Sequence, residues 1–232
     1  MNMRLRNEII AIVSIVFVIL PGLGCNRLVR NERQQAAIAK VQKLGGSVKI
    51  DKQNPELPAL TVCLMNCNVS NEDLVFLKDL SGLHILDLRG TKINGQGLIQ
   101  LKDVTSLKRL LLHHTPITDA GMKQIKELRS LIELDVGHSF ITDTGLAYIG
   151  EMKGLQVLCL SDTEITDAGL KNLNQLQELI YLYINDTNIS DAGIEHLKVL
   201  TKLIQVDTSN NKCTEAGLSQ LQEVLARNRK KR

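Results

Sequence analysis

His114, His138, Asp162 and Asp186 succeed one another at intervals of 24 residues. Imidazole nitrogens and carboxylate oxygens ligate divalent metals when they converge on one point. The same column continues as Gly90 on one side and Asn210 on the other, so the position is polar whether or not it holds an ion, and no metal site is assigned to it. A second set lies five, three or one residue upstream in the same period: Arg89, Arg109, Leu111, His113, Glu133, Asp135, Val157, Cys159, Tyr181 and Tyr183. Cationic side chains beside carboxylates and two tyrosines are the residue types of a contact surface. Catalysis leaves no comparable trace. There is no Gly-rich phosphate loop, no HExxH and no nucleophile elbow, so neither an enzyme nor a cofactor is expected.

These columns exist because seven stretches between Ala59 and Leu225 repeat one pattern. Leu155, Leu158 and Leu160 occupy positions 1, 4 and 6 of one unit, and the alternation of the last two is that of a half-buried strand. Ile165, Leu170, Leu173 and Leu176 follow, the last three at a spacing that predicts an amphipathic helix. Each unit therefore reads strand, turn, helix. Position 12 is Ser70, Asn94, Thr118, Thr142, Thr166, Ser190 and Thr214, all residues whose side chains cap helix N-termini. Position 13 supplies Asp119, Asp143, Asp167, Asp191 and Glu215 to the positive end of the helix dipole. Position 15 is Gly97, Gly121, Gly145, Gly169, Gly193 and Gly217. Glycine inside a helix costs about 1 kcal/mol against alanine, which predicts close helix-to-helix approach. Position 9 is Thr91, Thr115, Thr163 and Thr187, with Cys67, Ser139 and Asn211 as variants, and a small polar group there is expected to bridge a buried turn to the next coil. Strands stacked about 4.8 Å apart align equal positions into columns.

The TxITDAGLxxLxxL pattern resembles the leucine-rich repeats of bacterial envelope proteins. It is also similar to the cysteine-containing repeat subclass found in F-box proteins, with threonine mostly standing where that subclass has cysteine. The resemblance implies an α/β fold, a right-handed leucine-rich repeat solenoid with parallel strands on its concave face and helices on its convex face. It further implies that the concave face takes a protein or peptide. The F-box comparison implies a ubiquitin-ligase substrate adaptor, for which the chain would need an F-box upstream. Fold does not set function, and the alternative is a structural or self-associating envelope protein without a specific ligand.

The ends carry separate signals. Residues 1–25 combine Arg4 and Arg6, an apolar run from Ile9 to Leu20, and Gly22, Gly24 and Cys25, the layout of an export signal. It resembles a bacterial lipoprotein signal, which implies lipidation at Cys25. The other reading is an uncleaved transmembrane helix, although the run is short against the roughly 20 residues that span a bilayer. Either reading places the protein on a membrane through its N-terminus, on the exported side of the cytoplasmic membrane or in the outer envelope, and simple secretion is the third alternative. Residues 26–58 read as an N-terminal cap, with a helix over 31–44 stopped by Gly45 and Gly46 and a strand over 47–51. Repeats fill 59–226, and 227–232 form a basic tail. The repeats hold 21 acidic against 14 basic side chains, which disfavours nucleic acid as a partner. Cys67 and Cys213 fall on positions expected to be buried, whereas Cys63 and Cys159 project from strands. A Cys63–Cys67 disulfide is compatible with export, and its geometry is not fixed by spacing.

Overall fold

Leu155, Leu158, Leu160, Ile165, Leu170, Leu173 and Leu176 are all fully buried, so the apolar positions of one repeat turn inwards together and wind the chain once around its own core. The computed structural model describes residues 24–51 and 59–230. The expected export signal lies outside the described residues except for Gly24 and Cys25. Among the described residues no helix is long and apolar enough to cross a membrane.

Successive coils build an eight-stranded sheet in sequence order: β1 (Ser47–Asp51), β2 (Ala59–Cys63), β3 (Leu83–Asp87), β4 (Arg109–Leu111), β5 (Glu133–Asp135), β6 (Val157–Cys159), β7 (Tyr181–Tyr183) and β8 (Gln205–Asp207). Strands β2 to β8 run parallel, and β1 adds to the first of them antiparallel. The register steps by one repeat, so Arg109, Glu133, Val157 and Tyr181 stand side by side. The later strands are only three residues long, yet the ladder runs on beyond them. Leu160 N–H donates to Tyr183 O at 2.8 Å and Asp162 N–H to Asn185 O at 2.9 Å, and the same two bonds recur between the other coils. This is the architecture of a leucine-rich repeat solenoid.

The helical side departs from the expected uniform α-helix. Repeats three, four and six form seven-residue α-helices, Asp119–Ile125, Asp143–Ile149 and Asp191–Leu197. The first two repeats form 3₁₀ helices, Glu72–Asp79 and Gly97–Leu101, and the fifth passes from α (Asp167–Leu170) to 3₁₀ (Lys171–Gln175). Apolar residues spaced by three suit a 3₁₀ turn, in which residues i and i+3 eclipse. Gly95 and Gly97 also lower the helix propensity of the second repeat.

The DAG segment works between coils rather than within one helix. Asp143 accepts from Thr166 N at 2.8 Å and from Thr166 Oγ1 at 2.7 Å. Asp119 does the same for Thr142, Asp167 for Ser190 and Asp191 for Thr214. The expected caps are correspondingly incomplete: Thr142, Ser190 and Thr214 accept from a helix N–H, but Thr118 and Thr166 do not. A Cβ on Gly169 would overlap the Asp143 carboxylate, and Gly145, Gly193 and Gly217 meet the preceding aspartate in the same way. At these four positions glycine stands because a neighbour's carboxylate fills the space of a side chain, and at Gly97 the Asn71 amide does so. Close approach of one backbone to another is the reason only at Gly121, which faces Gly95 Cα in the turn before the preceding helix, in the one interface where the preceding repeat has glycine at position 13.

Position 9 also differs from expectation. Thr91, Thr163 and Thr187 donate to the carbonyl three residues earlier in their own turn, at 2.6 to 2.7 Å. The column bridges two coils in one place, where Asn211 donates to Ile184 O at 2.8 Å and its amide oxygen accepts from Thr187 N at 2.7 Å and from Thr187 Oγ1 at 3.1 Å. The core is closed at both ends by helices. The N-terminal one spans Gly24–Lys43, beginning earlier than the spacing predicts, and buries Ala37 and Val41 while Lys40 pairs with Asp73 at 2.8 Å. The last helix, Glu215–Arg229, is 15 residues long. It includes residues expected to form a basic tail: buried Asn228 donates to Leu200 O and Leu203 O, and Arg229 to Ile204 O. Arg227 and Arg229 thus lie in a final helical turn, where cations oppose the negative end of the dipole.

The complementarity of aspartate and glycine is testable by a double-mutant cycle. Asp143→Ala should cost about 1–3 kcal/mol through the lost charge-assisted bonds. Gly169→Ala should destabilise the protein when Asp143 is present, but be neutral or stabilising by up to about 1 kcal/mol in the Asp143→Ala background. Urea denaturation of the four proteins reads the coupling, and additive values would contradict it.

Candidate functional site

The solvent face of the sheet is built from positions 3, 5 and 7, because positions 4 and 6 point into the core. Leu111, His113, Glu133, Asp135, Val157, Cys159, Tyr181 and Tyr183 all stand on it half-buried, and Arg109 stands exposed. Register places Val157 beside Tyr181 and Cys159 beside Tyr183, so the two tyrosines and their neighbours make one amphipathic strip. The remaining tyrosine, Tyr148, lies on the helical side with Lys126 5.7 Å from its ring centre.

Both arginines that the spacing offers to a partner's carboxylate already have one within the chain. Arg109 forms a two-point pair with Glu133 at 2.6 and 2.9 Å. Arg89 does the same with Asp87 at 2.9 and 2.7 Å. Asp87 is buried, which favours its neutral form, but the Arg89 guanidinium and backbone N–H outweigh burial and hold its carboxyl below the usual range. The sequence reading passed over Asp87 as an anchor; its signal was a carboxylate two residues before an arginine on the same strand face.

His113 is shielded on the sheet side and faces Asp135 Oδ1 at 3.5 Å. Burial lowers its pKa, Asp135 opposes the shift, and the nearby His114 and His138 reinforce it. Burial and the charge of Asp135 push the Cys159 thiol up to about 11. Cys63, Cys67, Cys159 and Cys213 are all free thiols, and all are only half-buried. The expected full burial of Cys67 and Cys213 does not occur, and no Cys63–Cys67 bridge forms.

The column of His114, His138, Asp162 and Asp186 has a backbone reason. Asn66, Gly90, His114, His138, Asp162, Asp186 and Asn210 all have φ between 50° and 66°, the left-handed region in which glycine, asparagine, aspartate and histidine are enriched. Each coil turns there from strand into loop. The column also divides: His114 and His138 stack with ring centres 4.0 Å apart, His138 pairs with Asp162, and Asp186 instead accepts from the amides of Asn185 and Asn210 at 2.7 and 2.8 Å. Two residues further on, Phe140 is 62% exposed. The sequence reading missed it, although an aromatic residue in a column otherwise made of Asn68, Lys92, Pro116, Glu164, Asn188 and Lys212 was a readable exception.

Fold and face together define a leucine-rich repeat solenoid with a mixed aromatic and charged sheet surface. No protein-family model and no curated protein matches the sequence. Among solved structures, the chain is similar to the internalin InlF of Listeria monocytogenes, with a TM-score of 0.55 and 19% identity over 71% of this chain and 51% of that one. It is also similar to internalin C2 of the same organism, with a TM-score of 0.54 and 24% identity over 69% of this chain and 76% of that one. The chain thus spans about half the length of the first internalin. At such identities the likeness is one of fold.

The left-handed turn can be tested at His138. Valine, which tolerates that backbone poorly, should be less stable than glycine at the same position by about 1–2 kcal/mol. Both substitutions remove the pair with Asp162, so the difference in their urea midpoints isolates the backbone.

Proposed function

We propose that this protein is a non-enzymatic binding module held at a bacterial envelope by its N-terminus, taking a protein or peptide on its concave sheet. The observation that carries the reading is the strip of Leu111, Val157, Cys159, Tyr181 and Tyr183, half-exposed on strands fixed by bonds from coil to coil. Aromatic side chains on a rigid backbone bring large contact area with little further loss of conformational freedom, which is what interface hot spots require. Arg109 and Glu133 flank the strip as a polar rim. Each can exchange its internal partner for an oppositely charged group on a ligand, which favours selection of a partner over raw affinity.

Envelope tethering rests on residues 1–25, read as a lipoprotein signal ending at Cys25 or as an uncleaved anchor. The acidic balance of the repeats supports a partner other than nucleic acid.

Peptides selected from a display library on the immobilised protein should lose binding to the Tyr181→Ala/Tyr183→Ala variant while its thermal unfolding stays within a few degrees of the parent. Undiminished binding by that variant would place recognition elsewhere. Tethering is read from intact mass after expression in a bacterial host. A diacylated or triacylated chain starting at Cys25, lost in Cys25→Ala, is the lipoprotein outcome; a membrane-bound chain starting at Met1 is the anchor outcome. Recovery from the soluble fraction alone would overturn tethering.

A further inference from the structure

We infer that His113, Asp135 and Cys159 form a binding site for a zinc ion on the solvent face of the sheet. One donor atom from each of the three lies within 4.8 Å of the other two. They come from three consecutive coils, with Asp135 and Cys159 paired in register on β5 and β6. Imidazole, carboxylate and thiolate form a mixed donor set suited to zinc, and three protein ligands leave a fourth tetrahedral position open to water.

Two observations separate this cluster from an ordinary polar surface. First, His113 Nδ1 is buried and makes no hydrogen bond. Its 3.5 Å separation from Asp135 Oδ1 is long for a hydrogen bond but close to the roughly 3.3 Å between two nitrogen or oxygen ligands on one tetrahedral zinc. The nitrogen occupies space that a side chain at position 137 would need: a Cβ on Gly137 would stand 2.5 Å from it. Second, Asp135 has no lysine or arginine ion pair among the described residues, whereas Asp87 and Glu133 on the same face are each matched by an arginine. The Arg89 guanidinium acts on Asp135 through space but pairs with Asp87 instead, which leaves the Asp135 carboxylate without a cation in direct contact among the described residues.

The surroundings orient the donors. Gly137 N–H donates to Asp135 Oδ1 at 3.0 Å, which holds the carboxylate in place and leaves that oxygen a second lone pair, and Cys159 Sγ contacts Ser161 Oγ, which in turn donates to Asn185 Oδ1. Such outer contacts fix the ligand geometry of metal sites. When zinc binds, the Cys159 S–H bond is replaced by a sulfur–zinc bond and the proton passes to water.

The nearby triad of His113, His114 and His138 also brings its donor atoms within 4.8 Å, but it suits a metal less well. His114 and His138 stack with only 25° between their planes, so their in-plane lone pairs run side by side instead of converging. His138 Nδ1 is already paired with Asp162.

The test uses metal-free protein titrated with Zn²⁺ alone by calorimetry and with Co²⁺ alone by absorption spectroscopy. One equivalent of each should bind, and Co²⁺ should show the near-ultraviolet charge-transfer band of a thiolate ligand. Cys159→Ser should abolish that band, and Asp135→Asn and His113→Gln should each weaken Zn²⁺ binding by more than about tenfold. His138→Ala should leave band and stoichiometry in place. Circular dichroism and thermal melts establish that each variant is folded. The absence of one-equivalent binding by the parent would overturn the site, as would a thiolate band surviving in Cys159→Ser. Binding lost in His138→Ala but retained in Cys159→Ser would move the metal to the histidine triad and equally overturn it. None of these readouts depends on a peptide partner.

Discussion

Backbone hydrogen bonds between successive coils hold the structure in register, and almost everything else follows from the pitch they impose. A three-residue strand cannot stand alone, because its polar backbone groups and its one apolar face both need a neighbour. The bonds from Leu160 to Tyr183 and from Asp162 to Asn185, with their equivalents along the chain, extend the pairing past the strand into the turn. Leu158 then lies over Leu134 and under Leu182, and the buried leucines form unbroken columns. Such a stack has two open ends, which the Gly24–Lys43 and Glu215–Arg229 helices close.

The same pitch makes residues 24 positions apart into neighbours, so the chain can encode contacts in which one repeat supplies half and the next supplies the other. The DAG segment is the clearest case. Its aspartate binds the backbone and hydroxyl of the next coil's Thr or Ser, and its glycine makes room for the aspartate of the coil before. Where Gly95 stands instead of aspartate, two glycine backbones approach directly. The left-handed turn at position 8 works alongside this, returning the chain from sheet to helix at the same point in every coil.

On the solvent face, this regular framework carries irregular cargo. Two arginines are neutralised by carboxylates of the same or the adjacent strand, the two tyrosines share a strip with Val157 and Cys159, and His113 faces Asp135. Because the backbone beneath these side chains repeats, differences along the face lie in side-chain identity, and recognition can change from repeat to repeat without disturbing the core.

The sequence by itself determined the solenoid, the sheet order and the buried columns, because a 24-residue apolar period can bury its leucines only by stacking coil on coil. It also placed Arg109, Tyr181 and Tyr183 on one face, since strand alternation decides inside from outside. It misread the reason for glycine at position 15 and read histidine and aspartate at position 8 only as exposed polar residues, because apolar periodicity is silent at both. One depends on where a neighbouring carboxylate points, the other on a backbone angle. Tertiary structure alone decided the pairings: Arg109 with Glu133, Asp143 with Thr166, and His113 beside Asp135 and Cys159. A column tells which residues are adjacent, but side-chain conformation and the competition for each donor settle which of them meet.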